Sequence, residues 1–187
     1  LIDNWGTDES IIEAARMSTG KGFMGWDTDQ KLLSYLYNNK HMTPFEMCGM
    51  VIEVKAPIFV FREWHRHRTQ SYNEMSARYI PLPNEHYIPS IERLMAAQTD
   101  NKQAQSKSKW EILTMDGARA WQSRLKEAYE VMQETYSIGL GYGVPKELAR
   151  LLLPVGRYSR MRASANLRNW LAFLTLRMDE HAQWEIR

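Results

Sequence analysis

"MVIEVKAPIFVFREWHR", residues 50–66, changes its period in the middle, and that change decides the fold class. Up to Lys55 the side chains alternate, with Val51, Glu53 and Lys55 on one face and Ile52 and Val54 on the other, which is the two-residue period of a strand. Pro57 ends the strand, because proline has no N–H to give to a ladder. From Pro57 to Arg66 the apolar residues are too dense for a polar loop and proline holds a first-turn position. A helix is expected there, delivering Arg66 to Arg68 at its C-terminal end. A second passage of the same kind lies at "VGRYSRMRASA", 155–165, which alternates as a strand and runs into "NLRNWLAFLTLRMDEHAQWEI" at helical spacing, with Asn166 as the cap.

Helices dominate the rest. "TDESIIEAARM" has Thr7 or Asp8 as N-cap and Ile11, Ile12 and Ala15 in register, ending near Ser18, and "DTDQKLLSYLYNN" turns Leu32, Leu33 and Leu36 inward. In "HMTPFEM" Thr43 can cap, Pro44 can be the first helical residue and Glu46 can fold back onto the cap as a capping box. "PLPNEHYIP" reads as a proline-broken connection, and "TDNKQAQSKSK", 99–109, as a mobile loop. Between Trp110 and Tyr136, Ala118, Trp121, Leu125, Ala128, Met132 and Tyr136 recur at three and four, which predicts one long amphipathic helix. "PKELARLLLP" predicts another, bounded by Pro145 and Pro154. Strands and helices do not alternate regularly, so an α+β fold is expected, a sheet flanked by helices in one domain over 1–187.

The chain has 187 residues, 44% apolar and 25% charged, with a formal net charge of +2. That composition excludes a disordered chain, and so small a net charge does not by itself call for nucleic acid. No apolar run reaches the ~18 residues of a membrane span, and "LIDNWGTDES" lacks the pattern of a signal peptide. Cys48 is the single cysteine, which excludes an intrachain disulfide and fits a reducing compartment. A cytoplasmic protein is expected. Both ends read as clipped: the first residue is Leu1, and "DEHAQWEIR" meets no helix stop.

The chemistry concentrates in "RHRTQSYNEMSARY", 66–79. Arg66, Arg68 and Arg78 are planar forks suited to phosphate, interleaved with the neutral hydrogen-bonding groups of Ser71, Asn73 and Ser76, and Glu74 is the lone acceptor-only side chain. By composition alone the stretch could equally be a solvated basic turn. A second basic set, Arg150, Arg157, Arg160, Arg162, Arg168 and Arg177, could be the solubilising outer face of a strand, except that Arg168 and Arg177 sit in an aromatic, leucine-rich helix where a charge needs a partner or a ligand. His65 and His67 lack third and fourth ligands at ordinary spacing, so no metal is expected. Cys48 has neither a basic neighbour nor a helix N-terminus to activate it, and reads as a buried structural thiol.

Arg66, His67, Arg68, Ser71, Asn73, Glu74, Ser76, Arg78 and Tyr79 match the RHRxxSxNExSxRY signature, and the sequence resembles the flavin-dependent thymidylate synthases. The likeness extends through "AARMSTG", "HMTPFE", "KAPIFVFREW", "YIPS", "GVPKELARLLLP" and "LRMDEHAQWEI". It implies a methyltransferase that converts dUMP to dTMP, with methylenetetrahydrofolate giving the one-carbon unit, NADPH-reduced FAD giving hydride, and tetrahydrofolate as the folate product. It also implies a twisted sheet and a homotetramer whose sites form where subunits meet. Carried over residue by residue, Arg66, His67, Arg68 and Glu74 would hold flavin together with Ser18, His41, Thr43, Glu46, Asn166 and Arg168. Ser76, Ala77, Arg78 and Arg150 would receive dUMP, with Glu63 and Arg66 near the nucleotide. Arg177 matches the arginine beside the pyrimidine, and His181 follows it by one helical turn of spacing.

Three positions depart from the pattern: Glu63 stands where some relatives carry glutamine, Ala77 replaces a common glycine, and Ala172 replaces an asparagine that can touch flavin. Two rival readings remain from the residues. One is a nucleic-acid module in which Tyr72, Tyr79, Tyr158 and Trp170 stack bases between arginines; the other is a flavoprotein that binds FAD without turnover.

Overall fold

The computed structural model describes residues 1–96 and 113–187, so the expected loop at 99–109 lies outside the described residues. The elements are β1 (Asp3–Trp5), α1 (Asp8–Arg16), α2 (Trp26–Asn38), β2 (Gly49–Pro57), α3 (Ile58–Trp64), β3 (Ser71–Glu74), α4 (Ile91–Ala96), α5 (Met115–Gly141), α6 (Lys146–Ala149), β4 (Tyr158–Asn166) and α7 (Leu167–Arg177). Short 3₁₀ turns follow α1 and α6, and another covers Thr43–Met47. The sheet has order β1-β2-β4-β3, and every pairing is antiparallel. The α+β class holds.

β2 and β4 form the long ladder, from Gly49 opposite Asn166 to Pro57 opposite Tyr158. Alternation sends Met161, Ala163 and Ala165 to one face, where Val60, Phe61 and Trp64 of α3 and Trp170 and Phe173 of α7 cover them. Trp64 packs against Phe173 with ring centroids 4.4 Å apart, and the Trp170 indole N–H donates to the Met50 carbonyl at 3.1 Å. The other face carries Glu53 between Arg160 and Arg162, with N···O distances of 3.8 and 3.1 Å. A smaller core joins Ile11, Leu36, Phe45 and Cys48. Beneath it the fully buried Asp29 pairs with Arg16 and accepts from the Met24 amide at 2.7 Å, which fixes the loop between α1 and α2.

Thr7 caps α1, and Asn166 Oδ1 accepts from the Asn169 amide at 3.0 Å to cap α7, as the sequence predicts. Several expectations are corrected. Thr43 and Glu46 form no capping box: Thr43–Met47 is a 3₁₀ turn without a side-chain cap, and Glu46 is taken by Arg168. The helix expected over 145–154 breaks into α6 and the turn Arg150–Leu152, because the last leucines have little to bury against; Leu151 is exposed. α7 stops at Arg177, and 178–187 run in turns that place the buried Glu185 carboxylate under Tyr87 and Arg93, at 2.7 and 2.8 Å. His181 therefore does not sit one helical turn beyond Arg177, and its ring bonds Asp179 instead.

α5 is present, but its expected stripe is only partly inward. Ala118 and Tyr136 are buried while Trp121 and Met132 are exposed, and Gln133 turns in to meet the Arg157 guanidinium. Arg157 is not on an outer strand face. It is 1% exposed and also donates to the Leu82 carbonyl at 2.8 Å, in a bridge between segment 86 and the start of β4.

A Cβ on Gly49 would lie 2.5 Å from the Ala165 carbonyl and 2.3 Å from the Trp5 ring. Gly49→Ala should therefore destabilise the protein by about 2 kcal/mol, because the contact is to sheet backbone. Gly22→Ala, where nothing lies within 4 Å, should stay within about 0.5 kcal/mol. Urea denaturation of both variants checks the contrast.

Candidate functional site

α7 is the spine of the site. Its cap fixes where it starts, and Asn169 Nδ2 donates to the Thr69 carbonyl at 2.9 Å, tying the 66–79 motif to its first turn. Arg168 and Arg177 lie about 13 Å apart along the helix and about half a turn apart around it, so they address different surroundings. Arg168 donates to Glu46 beside Thr43. Arg177 turns to α3.

There Arg177 Nε donates to His67 Nε2 at 2.8 Å, Nη1 to Glu63 Oε2 at 3.2 Å and Nη2 to the Glu63 carbonyl at 3.0 Å. Because Nε2 of His67 accepts, that imidazole is neutral with its proton on Nδ1. Burial draws its pKa down and the Arg177 charge adds to the effect, while the ring edge rests on Phe173 at 4.8 Å. Burial raises the Glu63 carboxyl; Arg177 pulls it back, and the nearby Glu185 raises it. The three groups are held as one unit.

A second convergence joins the motif to α6. The Ser76 carbonyl accepts from the amides of Tyr79 and Ile80 at 3.0 and 3.2 Å, and Ser76 Oγ accepts from the Arg78 amide at 3.3 Å. This turn keeps Ala77 buried and sends Arg78 outward, where its Nε lies 3.6 Å from Glu147 Oε2. Arg150 Nε donates to the Glu147 carbonyl at 3.3 Å. Arg78 and Arg150, far apart in sequence, thus meet around one residue. On the ionic face of the sheet Glu74 and Asn73 of β3 line a groove of about 430 Å³ with Glu53, Arg160 and Arg162.

The structure brings together Glu63, His67 and Arg177, Glu46 and Arg168, and Arg78 and Arg150. Among the described residues Ser18 and His41 make only local side-chain contacts, to the Ala15 carbonyl and the Tyr35 ring. Arg66 and Arg68 are exposed, and among the described residues their guanidinium groups have no side-chain partner. Sequence reasoning missed Glu147, Glu53 and Asn169, whose partners are set by tertiary register; the strand β3 inside the motif was legible only in the alternation of Ser71 to Glu74. Cys48 is buried, and burial, with Asp8 adding to it, pushes its thiol up, away from a nucleophilic thiolate. Among the described residues no cluster could hold a metal, and no helix is long and apolar enough to cross a membrane. Trp170 is buried and the half-buried Tyr72 ring packs against the core and the His65 ring, so two of the four aromatics that the nucleic-acid reading needs are not free to stack bases.

An antiparallel sheet backed by helices, with arginines gathered at its helix ends, defines an α+β protein. The sequence profile of the thymidylate synthase complementing protein family matches residues 1–187, and the chain belongs to that family. It is 41% identical over its whole length to the flavin-dependent thymidylate synthase of Ehrlichia ruminantium (strain Gardel), of which it spans 62%, and 36% identical to that of Pseudothermotoga lettingae, of which it spans 78%. Among solved structures it is similar to the UMP/dUMP methylase PolB from Streptomyces cacaoi bound with 5-Br dUMP, with a TM-score of 0.84 and 34% identity, covering 100% of this chain and 83% of that one.

The His67 reading has a pH signature. A histidine whose folded pKa lies below its unfolded value of about 6.5 binds a proton first in the unfolded chain, so stability falls as pH drops below that value. The difference in unfolding free energy between the wild type and His67→Gln, measured from pH 8 to pH 5, should shrink with falling pH. A constant difference would show that His67 does not titrate against Arg177.

Proposed function

We propose that the chain is the catalytic domain of a flavin-dependent thymidylate synthase, a methyltransferase that reductively methylates dUMP to dTMP. The observation that carries the reading is that the motif Arg66 to Tyr79 joins two arginine assemblies, His67 near its start meeting Arg177 and Arg78 near its end standing with Arg150 around Glu147. The relatives' names support it, and the ligand of the similar PolB structure is a uridine nucleotide. Further parts of the reading are FAD as resident cofactor, NADPH as reductant, methylenetetrahydrofolate as co-substrate, a cytoplasmic location, and a homotetramer with sites shared between subunits. The exposed Trp121, Val131 and Ile138 of α5 give such an assembly apolar surface to cover.

The residues present fit a flavin. Arg66 and Arg68 offer exposed guanidinium forks to a pyrophosphate, and the Arg168–Glu46 pair and Asn166 stand at the start of α7 where a ring system needs donors and an acceptor. Ser18, His41, Thr43, His67 and Glu74 complete the proposed cofactor contacts. When bound and reduced, flavin supplies the hydride that turns the transferred one-carbon unit into a methyl group and lets the folate leave as tetrahydrofolate.

The chain's own residues then have defined tasks. Arg78 and Arg150 hold the substrate phosphate, with Ser76 and Ala77 shaping the turn around it. For C5 to attack, the ring must first carry enolate-like negative charge on its carbonyl edge, and the Arg177 guanidinium would stabilise that charge in a partly buried place until the new bond to C5 consumes it. His67 stays neutral and so adds no competing positive charge. Arg66 and Glu63 border the nucleotide. Cys48 is too buried to add to the ring, which leaves polarisation to Arg177.

Purified protein should be yellow and should release tritium from C5-labelled dUMP only with methylenetetrahydrofolate and NADPH. Arg177→Ala should lower that turnover by about a hundredfold or more while leaving the flavin spectrum intact. Colourless protein without tritium release would defeat the reading. Light scattering tests the tetramer, and an active monomer would remove the shared-site part of it.

A further inference from the structure

We propose that Arg157 holds a resident halide ion, bound where the pocket between α5 and the segment 84–88 meets the start of β4. The place lies apart from the nucleotide and flavin contacts proposed above, and the inference does not depend on them.

Arg157 is a buried cation without a counter-charge. Its side chain is 1% exposed, and its guanidinium donates only to neutral acceptors, the Gln133 amide oxygen and the Leu82 carbonyl. No carboxylate among the described residues pairs with it. The Tyr136 ring, whose centroid lies 5.7 Å from Cζ, offsets such a charge only in part. An unpaired ion in so dry a place is strongly unfavourable.

The groups around it are donors with nothing to donate to. Arg157 Nε, Tyr136 Oη, Ser159 Oγ and His86 Nε2 are all buried, and all lack a hydrogen-bond partner. The fold makes neighbours of these side chains. His86 and Arg157 face each other across an antiparallel bridge, flanked by the Tyr158 amide on the Glu85 carbonyl at 2.9 Å and the Tyr87 amide on the Gly156 carbonyl at 2.8 Å. A pair in that position has its side chains close together on one face. Ser159 follows Arg157 by two residues and so shares that face, while Gln133 and Tyr136 reach Arg157 from one turn of α5. Burial and the Arg157 charge draw the His86 pKa down, so its ring is neutral and can set its single proton on Nε2. Unmet donors around one unbalanced cation describe the coordination shell of a small anion.

A cavity gives the ion its way in. His86, Tyr129 and Gln133 line a pocket of about 510 Å³, and the His86 ring stacks on Tyr129 with centroids 4.4 Å apart. His86 and Gln133 thus border both the pocket and Arg157. Glu130 and Glu134 are exposed on the same pocket and would repel an anion large enough to fill it. That restricts the ion to the inner end and to a single charge. A water molecule there would satisfy donors but leave the guanidinium unbalanced; chloride does both.

Thermal unfolding of the purified protein, with chloride replacing gluconate at constant ionic strength, tests this. The wild-type Tm should rise along a saturating curve by about 4 °C at about ten times the chloride Kd. Tyr136→Phe, which removes one donor, should need several-fold more chloride for the same rise, and Arg157→Met, which removes the charge, should show none. Crystals of the wild type grown in bromide should give an anomalous peak beside Arg157 Nε, a readout that stands even where Arg157→Met does not fold. A wild-type Tm indifferent to chloride, a bromide crystal without that peak, or an equal chloride response in Arg157→Met would each overturn the inference.

Discussion

The β2–β4 ladder is the constraint on which the rest depends. Its antiparallel register places Gly49 opposite Asn166 and Pro57 opposite Tyr158, so α3 and α7 spring from opposite ends of the same pair of strands. Both helices must cover the same apolar face, and they pass one another as they do so. That passage brings Glu63 against Arg177, 114 positions apart, and closes the contact with two hydrogen bonds to one residue. A slip of one residue in the ladder would exchange the faces of β4, putting Arg160 and Arg162 toward Trp64 and Phe173. The aromatic packing above the sheet and the ionic row below it therefore enforce the same register.

The electrostatics follow from where burial and pairing coincide. Around Arg177 a partly buried cation is balanced by Glu63 and bordered by a neutral ring, so its remaining donors are held in place without a second positive charge beside them. Around Glu147 the pairs are exposed, at 51% and 56%, and such contacts are weak in water. The two assemblies are thus of different kinds. One is pre-set by packing, the other can rearrange at little cost.

Much of this was readable from the chain because strong local signals agree with the tertiary outcome. Pro57 stops β2 and opens α3, and Asn166 ends β4 and caps α7, since each residue has one backbone role it fills well. The readings that failed turned on partners far away. Glu46 could cap Thr43 by spacing, but Arg168 offers it an opposite charge from 122 positions on. Arg157 looked like one more strand arginine, and only the bridge to His86 and the approach of α5 bury it. The end of the chain was read as helix from its spacing, yet Glu185 gains hydrogen bonds from Tyr87, Arg93 and Gln183 by leaving the helix, and these outweigh burial in holding its carboxyl below the ordinary range. Of the candidate site, residue types and motif were legible, whereas Glu147 and Asn169 acquire meaning only through the fold.

The two outer strands are short, Asp3–Trp5 on one side and Ser71–Glu74 on the other, while the long ones are sealed in the middle. A sheet built this way offers a neighbouring chain few free amides and carbonyls to extend. What the sheet shows outward is instead a face of charged side chains, Glu53, Lys55, Arg160 and Arg162, paired among themselves and with Glu85. The architecture leaves little backbone at the sheet edges to pair with, so the outer surface of the sheet is set by side chains, which single substitutions can change without disturbing the ladder.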